Sequence, residues 1–443
     1  MHTILITCFH PFVSRNIFSA PFLNMLKSVR GLRIVIVCPE KKKDFLEKEY
    51  GAPNVIVHGV PGRIRRIDAL FKDLASAAIK TQSLYIMKKM RIGFERMWFI
   101  RLITPIAILI RPIIPFLYKI FIPRSAYRVL FEEYKPFLVF AADIFGSADC
   151  RIAREAKCRG IPVLGMVRSW DNLTTKGGFR VVPDILVVNN EIIKKEAISI
   201  HHIPERIIKV VGVPHYDNYV CPAQNLLQEE YAKRGKRIIL YSPLGDRIIK
   251  VGDKEVGKGF DEKMIRLLSK VIPSTHILFV RMPPTDNVSI EKDIPENVVI
   301  ERPGTAIGAG IKAIKTAELS AQDDRRLTET ICASDTVLTV FSSIAVDALV
   351  LGKPTVLLGF DPEPKPYWLS VARLHELNHI QNLIKGGISV AMNEISLREE
   401  IKKYLENPDY RKKERSEVSV EQSYLSDKKS SGRLFKIVNE MLS

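Results

Sequence analysis

Three side chains in the first half of the chain could take a proton from a hydroxyl group. Each follows an apolar run that is predicted to be a strand: His10, Asp143 and Asp171. Histidine and carboxylate groups serve as general bases, and ligands of parallel sheets bind beyond the carboxyl ends of the strands. We therefore predict Asp171 as a catalytic base, followed by His10 and then Asp143. If His10 or Asp143 only caps a helix, it has no catalytic role.

The loops around these residues contain groups that could hold a polar acceptor. Trp170 and Asn172 flank Asp171, and a Lys-Gly-Gly turn begins at Lys176. These residue types are unusual together in a loop that only connects two elements, and they favour a binding role. The predicted acceptor-binding residues are Arg15, Asn16, Trp170, Asn172 and Lys176.

The second half contains a strand, a turn with two serines and a helix within Val337–Asp361. Ser342 and Ser343 stand where the helix begins. The first N–H groups of a helix lack partners within it, and the helix dipole favours negative charge there. The turn is therefore predicted to bind a phosphate, although serines that only cap the helix would give the same sequence. Asp347, further along, would face a ribose hydroxyl or solvent.

Two further residues complete the predicted donor site. Arg281 ends an apolar strand, where its charge requires a phosphate or an acidic side chain as partner. Ser242 follows another strand. The predicted donor-binding residues are Ser342, Ser343, Asp347, Arg281 and Ser242.

The order of apolar runs indicates an α/β protein. Strand-like and helix-like segments alternate in both halves, as in parallel, doubly wound sheets. We predict two facing Rossmann-like domains, an acceptor domain at 1–218 and a nucleotide-donor domain at 219–410. A helical tail at 411–443 could pack back on the first domain, and a basic, apolar helical insertion at about 64–131 interrupts that domain.

The insertion contains a strongly apolar stretch, Met97–Pro123. Prolines and Arg111 break this stretch, so an ordinary transmembrane helix is not expected. Apolar bulk with flanking cations favours peripheral contact with the inner face of an anionic cell membrane. Packing within the protein is the alternative. The flanking cations include Arg91, Arg96, Arg101 and Arg124.

The composition narrows the class of partner. The 443 residues include 67 Lys and Arg against 49 Asp and Glu, so the formal charge is 67 − 49 = +18, which favours an anionic partner. Nucleic acid is not expected, because the cations are not interleaved with aromatic residues on a strand. Six scattered cysteines without a CxxC pair predict buried free thiols in the cytoplasm. The sequence contains neither an Asp-x-Asp motif nor a zinc-binding pattern, so no metal is expected. It also shows no secretory signal.

Segments of the chain resemble a known family. Residues 189–219, 239–247, 278–284 and 332–361 occur in the order found in CDP-glycerol glycerophosphotransferase-like proteins. More broadly, the chain resembles GT-B glycosyltransferases of surface-polymer or glycolipid synthesis. The resemblance implies a nucleotide diphosphate donor with its phosphates at Ser342 and Ser343. Where the polymerase branch has Arg-x-His-Pro, this chain has Met282, which cannot take a proton.

These points lead to one predicted function and three alternatives. The prediction is a metal-independent GT-B glycosyltransferase without a cofactor, which moves a sugar from a nucleotide-sugar or CDP-linked donor to a lipid-linked or glycan acceptor. It would act in the cytoplasm, peripherally on the cell membrane. The alternatives are a CDP-glycerol-type glycerophosphotransferase, a UDP-N-acetylhexosamine 2-epimerase-like enzyme and a non-catalytic subunit that binds nucleotide sugars.

Overall fold

The chain forms two compact units. The computed structural model describes residues 2–61, 66–92, 97–123, 127–245, 249–251, 254–256, 259–284, 290, 293–307 and 317–442, without the side chains of 90–103 and 249–256. The first unit comprises Met1–Tyr85, Arg96–Asn218 and Ser423–Ser443, and the second comprises Ile86–Glu95 and Tyr219–Gln422. Residues 411–422 of the expected tail thus belong to the second unit and the remainder to the first.

The first unit contains a parallel sheet with the strand order β3-β2-β1-β4-β5-β6-β7. Alternate side chains of each strand enter two separate cores, with Leu5 and Val35 in one and Ile4 and Ile34 in the other. Both faces of the sheet are buried, which explains why its strands read as continuous apolar runs. The strands are β1 (His2–Thr7), β2 (Leu32–Pro39), β3 (Val55–Val60), β4 (Leu138–Ala141), β5 (Val163–Met166), β6 (Ile185–Val188) and β7 (Ile208–Val210).

Helices connect these strands and cover both faces of the sheet, although the helix Gln82–Ile92 belongs to the first unit only as far as Tyr85. A π-helical turn at Ser14–Phe18 follows the first of them. The helices are α1 (Pro11–Val13), α2 (Pro21–Lys27), α3 (Lys43–Tyr50), α4 (Arg66–Ala77), α5 (Gln82–Ile92), α6 (Met97–Ile110), α7 (Ile114–Phe121), α8 (Arg128–Tyr134), α9 (Ser147–Cys158), α10 (Asn172–Thr175) and α11 (Glu191–Ser199).

The helices α4 to α8 occupy the place of the predicted insertion, between β3 and β4. Arg111 Nη1 donates a hydrogen bond to Ile200 O at 2.8 Å, which holds the junction of α6 and α7 against the first unit. By length and composition, Thr104–Phe121 is apolar enough to cross a membrane, with a mean hydropathy of 1.5 and 17% of the stretch buried. The expected flanking cations Arg91, Arg96, Arg101 and Arg124 lie outside the side chains that the structure describes.

The second unit contains a parallel sheet with the order β12-β11-β8-β13-β14-β15 and a separate hairpin of β9 and β10. The strands are β8 (Arg237–Ser242), β9 (Ile249–Val251), β10 (Lys254–Val256), β11 (His276–Arg281), β12 (Val298–Glu301), β13 (Ser334–Thr339), β14 (Thr355–Leu358) and β15 (Ser389–Ala391). The later helices are α12 (Leu226–Ala232), α13 (Phe260–Val271), α14 (Ala321–Ala333), α15 (Ile344–Val350), α16 (Asn378–Lys385), α17 (Glu394–Glu406), α18 (Lys412–Ser423) and α19 (Ser430–Leu442).

Helix α19 closes the first unit. The Asp217 carboxylate accepts hydrogen bonds from the backbone N–H groups of Ser430 and Ser431, at 3.0 and 2.7 Å. These N–H groups lie at the start of the helix, where no partner within the helix is available. Leu434 and Val438 then enter the same core as Ile4.

Each parallel sheet has a topological switch point, where successive strands are added on opposite sides. This point lies between β1 and β4 in the first sheet and between β8 and β13 in the second. Ligands of doubly wound sheets bind beyond the carboxyl ends of the strands at such a point. The prediction of an α/β chain with two Rossmann-like halves is confirmed.

The cysteines include one disulfide, between Cys221 and Cys332, whose Cα atoms are 5.6 Å apart. The prediction of free thiols is therefore wrong for these two residues. They are 111 positions apart and meet only because the segment before α12 packs on the end of α14. Spacing in the sequence carries no sign of such a pair. The free cysteines are Cys8, Cys38, Cys150 and Cys158.

Candidate functional site

His10 lies beside the first switch point, just after β1. Its Nδ1 accepts a hydrogen bond from the backbone N–H of Phe12 at 3.2 Å, so the ring caps α1. Burial lowers the pKa of His10 to about 3, and the charges of Arg168 and Lys176 act in the same direction. A ring with so low a pKa is neutral and only weakly basic at neutral pH.

Asp143 lies on the other side of the same switch point, just after β4. Its Oδ2 accepts hydrogen bonds from Arg168 Nε at 2.9 Å and Lys176 Nζ at 3.1 Å. Burial acts to raise the pKa of Asp143, but the charges of Lys176 and Arg168 outweigh it and hold the pKa well below its usual value. Asp143 is therefore a weak base whose main effect is to hold two cations in place.

Asp171 is half-buried at the start of α10, in the loop that follows β5. Its Oδ2 accepts a hydrogen bond from the Thr175 hydroxyl at 3.0 Å. Burial, with the charge of Asp171 nearby, raises the pKa of Glu196 to about 7. Because the surroundings of His10 and Asp143 make both weak bases, Asp171 remains the first choice among the three predicted bases.

Two of the predicted acceptor-binding residues point to other protein groups. Arg15 is buried, and its Nη2 lies 2.9 Å from His215 Nε2. Asn16 Nδ2 lies 3.5 Å from the carbonyl oxygen of Arg168, a long contact that places it beside the Asp143 cluster.

Asn172 and Trp170 lie on either side of Asp171. Asn172 is buried, and neither its amide oxygen nor its amide nitrogen has a hydrogen-bond partner among the residues that the structure describes. Such a group is costly unless water or a ligand satisfies it. Trp170 is half-buried and packs on the apolar core of the first unit.

Ser342 and Ser343 lie at the second switch point, between β13 and α15. Ser342 Oγ is 3.5 Å from the N–H of Ile344, too long for a strong cap, and the Ser343 side chain makes no capping hydrogen bond. Both serines are half-buried. Asp347 is buried and accepts a hydrogen bond from the Tyr219 hydroxyl at 3.3 Å. The prediction offered a ribose hydroxyl or solvent as the environment of Asp347, and its burial excludes solvent.

Arg281 is buried at the end of β11, and its partner is an acidic side chain. Its Nη1 pairs with the Glu301 carboxylate, and its Nη2 donates to Asp323 O at 3.0 Å. Glu301 also accepts from Arg326 Nε at 2.7 Å. Of the two predicted partners for Arg281, a phosphate and an acid, the structure contains the acid.

Ser242 ends β8 on the other side of the second switch point. Its carbonyl oxygen accepts a hydrogen bond from the Thr339 hydroxyl at 3.1 Å, which joins the ends of β8 and β13. Met282, which stands where the polymerase branch has a histidine, is buried.

Two residues at the first switch point, Thr7 and Asp149, were not predicted from the sequence. Asp149 Oδ1 accepts hydrogen bonds from the Thr7 hydroxyl and, at 3.3 Å, from the backbone N–H of Asp143. An acidic residue in the first turn of a helix is common for reasons of the helix dipole alone. Its contact with Thr7, 142 residues away, exists only in the folded chain.

The two doubly wound parallel sheets give the chain a GT-B-like fold. The glycotransferase of kitacinnamycin is 11% identical and has a TM-score of 0.54, covering 100% of this chain and 99% of its own. The UDP-GlcNAc 2-epimerase from Neisseria meningitidis is 12% identical, with a TM-score of 0.53 and coverage of 99% and 100%. The wall teichoic acid polymerase TagF is 12% identical, with a TM-score of 0.52 and coverage of 99% and 89%. These likenesses show the fold alone.

The family is shown by the sequence. The model for CDP-Glycerol:Poly(glycerophosphate) glycerophosphotransferase matches residues 180–440, which is more than half of the chain. No curated protein matches the chain by sequence. The chain therefore belongs to this glycerophosphotransferase family, and it is a transferase.

Proposed function

We propose that the protein is a GT-B glycosyltransferase of cell-surface polysaccharide or glycolipid synthesis. It moves a sugar from a nucleotide-sugar donor to the hydroxyl of a lipid-linked or glycan acceptor. The observation that carries this proposal is the Ser342–Ser343 turn, which lies at a switch point with hydroxyls that cap α15 weakly or not at all. The family match supports transfer from a nucleotide diphosphate, and the N. meningitidis epimerase of similar fold is bound to UDP-GlcNAc.

The proposed reaction is a single displacement. Asp171 takes the proton of the acceptor hydroxyl, and the acceptor oxygen forms a bond to the anomeric carbon of the sugar. The bond from that carbon to the phosphate oxygen breaks, and its electron pair leaves with the nucleoside diphosphate. The N–H groups and hydroxyls of the Ser342–Ser343 turn stabilise the developing charge. We include metal independence in the proposal, so activity is expected to persist in excess EDTA.

A second candidate is transfer of glycerol phosphate, which the family match favours. In that reaction the acceptor oxygen attacks phosphorus, and CMP leaves from CDP-glycerol. Met282 argues against it, since this buried side chain cannot supply the proton chemistry of a histidine. The nature of the leaving group therefore separates the two candidates.

The test is to incubate the purified protein with nucleotide sugars or CDP-glycerol, with and without membrane lipids as acceptor, and to quantify the nucleotides by chromatography. A nucleoside diphosphate released only with acceptor supports the glycosyltransferase. Release of CMP from CDP-glycerol supports the second candidate and contradicts the first. Conversion of the donor without acceptor indicates an epimerase-like enzyme, and binding without turnover indicates a non-catalytic subunit.

The proposal includes peripheral contact with the cytoplasmic face of the cell membrane. Five apolar side chains of α6, α7 and their junction are between 47% and 80% exposed and recur every three or four residues. Ala107, Ile114 and Tyr118 on the other side are buried in the first unit. Internal packing would have buried both sides, whereas an anionic bilayer matches the apolar face and the charge of +18. The five residues with this spacing are Ile106, Leu109, Ile113, Phe116 and Ile120, and Phe121 at the end of α7 is also exposed.

Co-sedimentation with equimolar phosphatidylglycerol–phosphatidylcholine vesicles tests this contact. The double variant Leu109→Ser, Phe116→Ser is expected to bind at least about tenfold more weakly, because each side chain loses transfer free energy of more than about 1 kcal/mol. The control is Leu226→Ser in the second unit, which removes an equally exposed leucine. Absence of vesicle binding by the unmodified protein at low salt would contradict the contact.

A further inference from the structure

Asp149 is a buried carboxyl group that the proposed reaction does not use. The regular pairing of β1 with β4 ends at Ile6 and Phe140. Beyond it, the backbone N–H of Ala142 donates to Thr7 Oγ1 at 3.0 Å, and the Thr7 hydroxyl donates to Asp149 Oδ1. These side-chain hydrogen bonds thus join the two strands beyond their last backbone pair. They lie where the loops that contain His10 and Asp143 begin.

Asp149 also holds the loop that follows β4. The backbone N–H of Asp143 donates to Asp149 Oδ1 at 3.3 Å, and the N–H of Gly146 donates to Asp143 O at 2.7 Å. A Cβ atom on Gly146 would lie 2.1 Å from Asp149 Oδ2, so the second carboxyl oxygen fills the space that this glycine leaves. With 1% exposure, Asp149 is too enclosed to touch a substrate.

We propose that Asp149 is a positioning residue of the transfer reaction, because its carboxyl group ties the end of β1 to the end of β4 and thereby fixes the His10 loop relative to Asp143 and its two cations. The inference rests on the proposed function for the reaction itself. It adds a residue that does not touch the substrate and acts through Asp143, whose carboxylate holds the predicted acceptor-binding residue Lys176.

The charge of Asp149 gives this role a dependence on pH. Burial and the charge of Asp143 raise the pKa of Asp149 to about 7. The groups that face it are Thr7 on β1, Asp143 after β4, Tyr127 before α8 and Cys150 on α9. Above pH 7 two carboxylates share one small region, and their repulsion opposes the hydrogen bonds that Asp149 accepts from Thr7 and from the N–H of Asp143. We expect this repulsion to displace the Asp143 loop, so that kcat of the unmodified protein declines above pH 7.

The first measurement needs no substrate. Because the pKa of Asp149 in the folded state lies above its ordinary value of 3.8, proton binding stabilises the fold at low pH, and this stability is lost as the pH rises through 7. Asp149→Asn keeps the shape and cannot ionise. Its melting temperature relative to the unmodified protein is expected to rise by several degrees between pH 5 and pH 8.5. Asp44→Asn, an exposed control, stays parallel to the unmodified protein. Parallel curves for Asp149→Asn would overturn the assignment.

The second measurement is turnover of the donor identified by leaving-group analysis. Asp149→Asn mimics the neutral carboxyl, so it should keep kcat within about threefold at pH 6 and lose the decline above pH 7. Asp149→Ala and the milder Thr7→Val remove the tie, and kcat is expected to fall at least about tenfold, with the donor KM within about twofold. Normal kcat in Thr7→Val or an unchanged alkaline decline in Asp149→Asn would overturn the proposal. If the unmodified protein shows no turnover, the proposed function is refuted instead. The melting curves then still show whether the Asp149 carboxyl group binds a proton in the folded protein.

Discussion

The two switch points are built alike and are equipped differently. In both, a threonine hydroxyl joins the ends of the two central strands: Thr7 accepts from the N–H of Ala142, and Thr339 donates to Ser242 O. Around the first point the chain adds charged and titratable groups, and beside the second it adds the small hydroxyls of a serine turn. We propose that the first edge serves proton transfer and that the second holds a phosphate.

The difference extends to how the buried cations are balanced. At the first switch point, Arg168 and Lys176 both contact the same carboxylate oxygen of Asp143, Oδ2. In the second unit, a charge cluster lies away from the switch point, at the ends of β11 and β12, where Glu301 joins Arg281 and Arg326. The charges of the second unit thus lie near the edge of its sheet, while those of the first lie beside His10 at the switch point.

The largest effect is expected from removing the proposed base in the first unit. Asp171→Asn should lower kcat by about 10²–10⁴-fold, since a general base contributes on that order. The donor KM should stay unchanged, because the donor is assigned to the second unit. Steady-state kinetics on the native acceptor measures both constants, with the exposed Asp73→Asn as control. Full activity of Asp171→Asn would show that the base is elsewhere.

A comparison of the two charge clusters should show a large effect on stability. Asp143→Asn leaves two cations without their buried carboxylate, and the free energy of unfolding is expected to fall by about 3–5 kcal/mol. Glu301→Gln should cost less, because Glu301 is more exposed than Asp143. Urea unfolding at pH 7 measures both. Equal losses of unfolding free energy in the two variants would contradict the expected effect of burial.

Reduction of the Cys221–Cys332 disulfide should affect the second unit alone. The bond closes a loop of about 111 residues, and releasing such a loop costs about 5 kcal/mol in the chain-entropy account. Hydrogen exchange after addition of dithiothreitol should therefore rise in residues 219–422 and stay unchanged in the first unit. Cys221→Ser should show the same rise without reductant and no further response to it. Unchanged exchange in the reduced protein would contradict a structural role for the bond.

The smallest effect concerns the cap at His10. Its pKa of about 3 in the folded state lies below the ordinary 6.5, so the unfolded chain takes up the proton first and stability falls as the pH drops below 6.5. His10→Asn keeps an acceptor for the N–H of Phe12 and does not titrate. Between pH 7 and pH 5 it is expected to lose about 1–2 kcal/mol less than the unmodified protein. Parallel urea-unfolding curves would show that His10 is not held in its neutral form.

The sequence allowed the fold to be predicted, because the fold depends on local patterns, and the candidate site residues were chosen from the same patterns. Continuous apolar runs alternating with helical segments indicate strands buried on both faces. Candidate residues at or just after the ends of β1, β4, β8 and β13 lie beside the switch points, whereas Asp171 follows β5 and Arg281 ends β11. The partners of these residues are set by tertiary packing instead. Glu301 beside Arg281, Thr7 beside Asp149 and Cys221 beside Cys332 are each distant in sequence, and no spacing rule connects them.

The central claim is that the second unit holds the donor diphosphate at the Ser342–Ser343 turn. Isothermal titration calorimetry with the nucleoside diphosphate of the identified donor tests it directly, using the double variant Ser342→Ala, Ser343→Ala, the exposed control Ser274→Ala, and Asp171→Asn. The double variant is expected to bind at least about tenfold more weakly, since two hydroxyl contacts contribute about 1 kcal/mol each, and both other variants are expected to bind normally. Unchanged affinity in the double variant would contradict the claim.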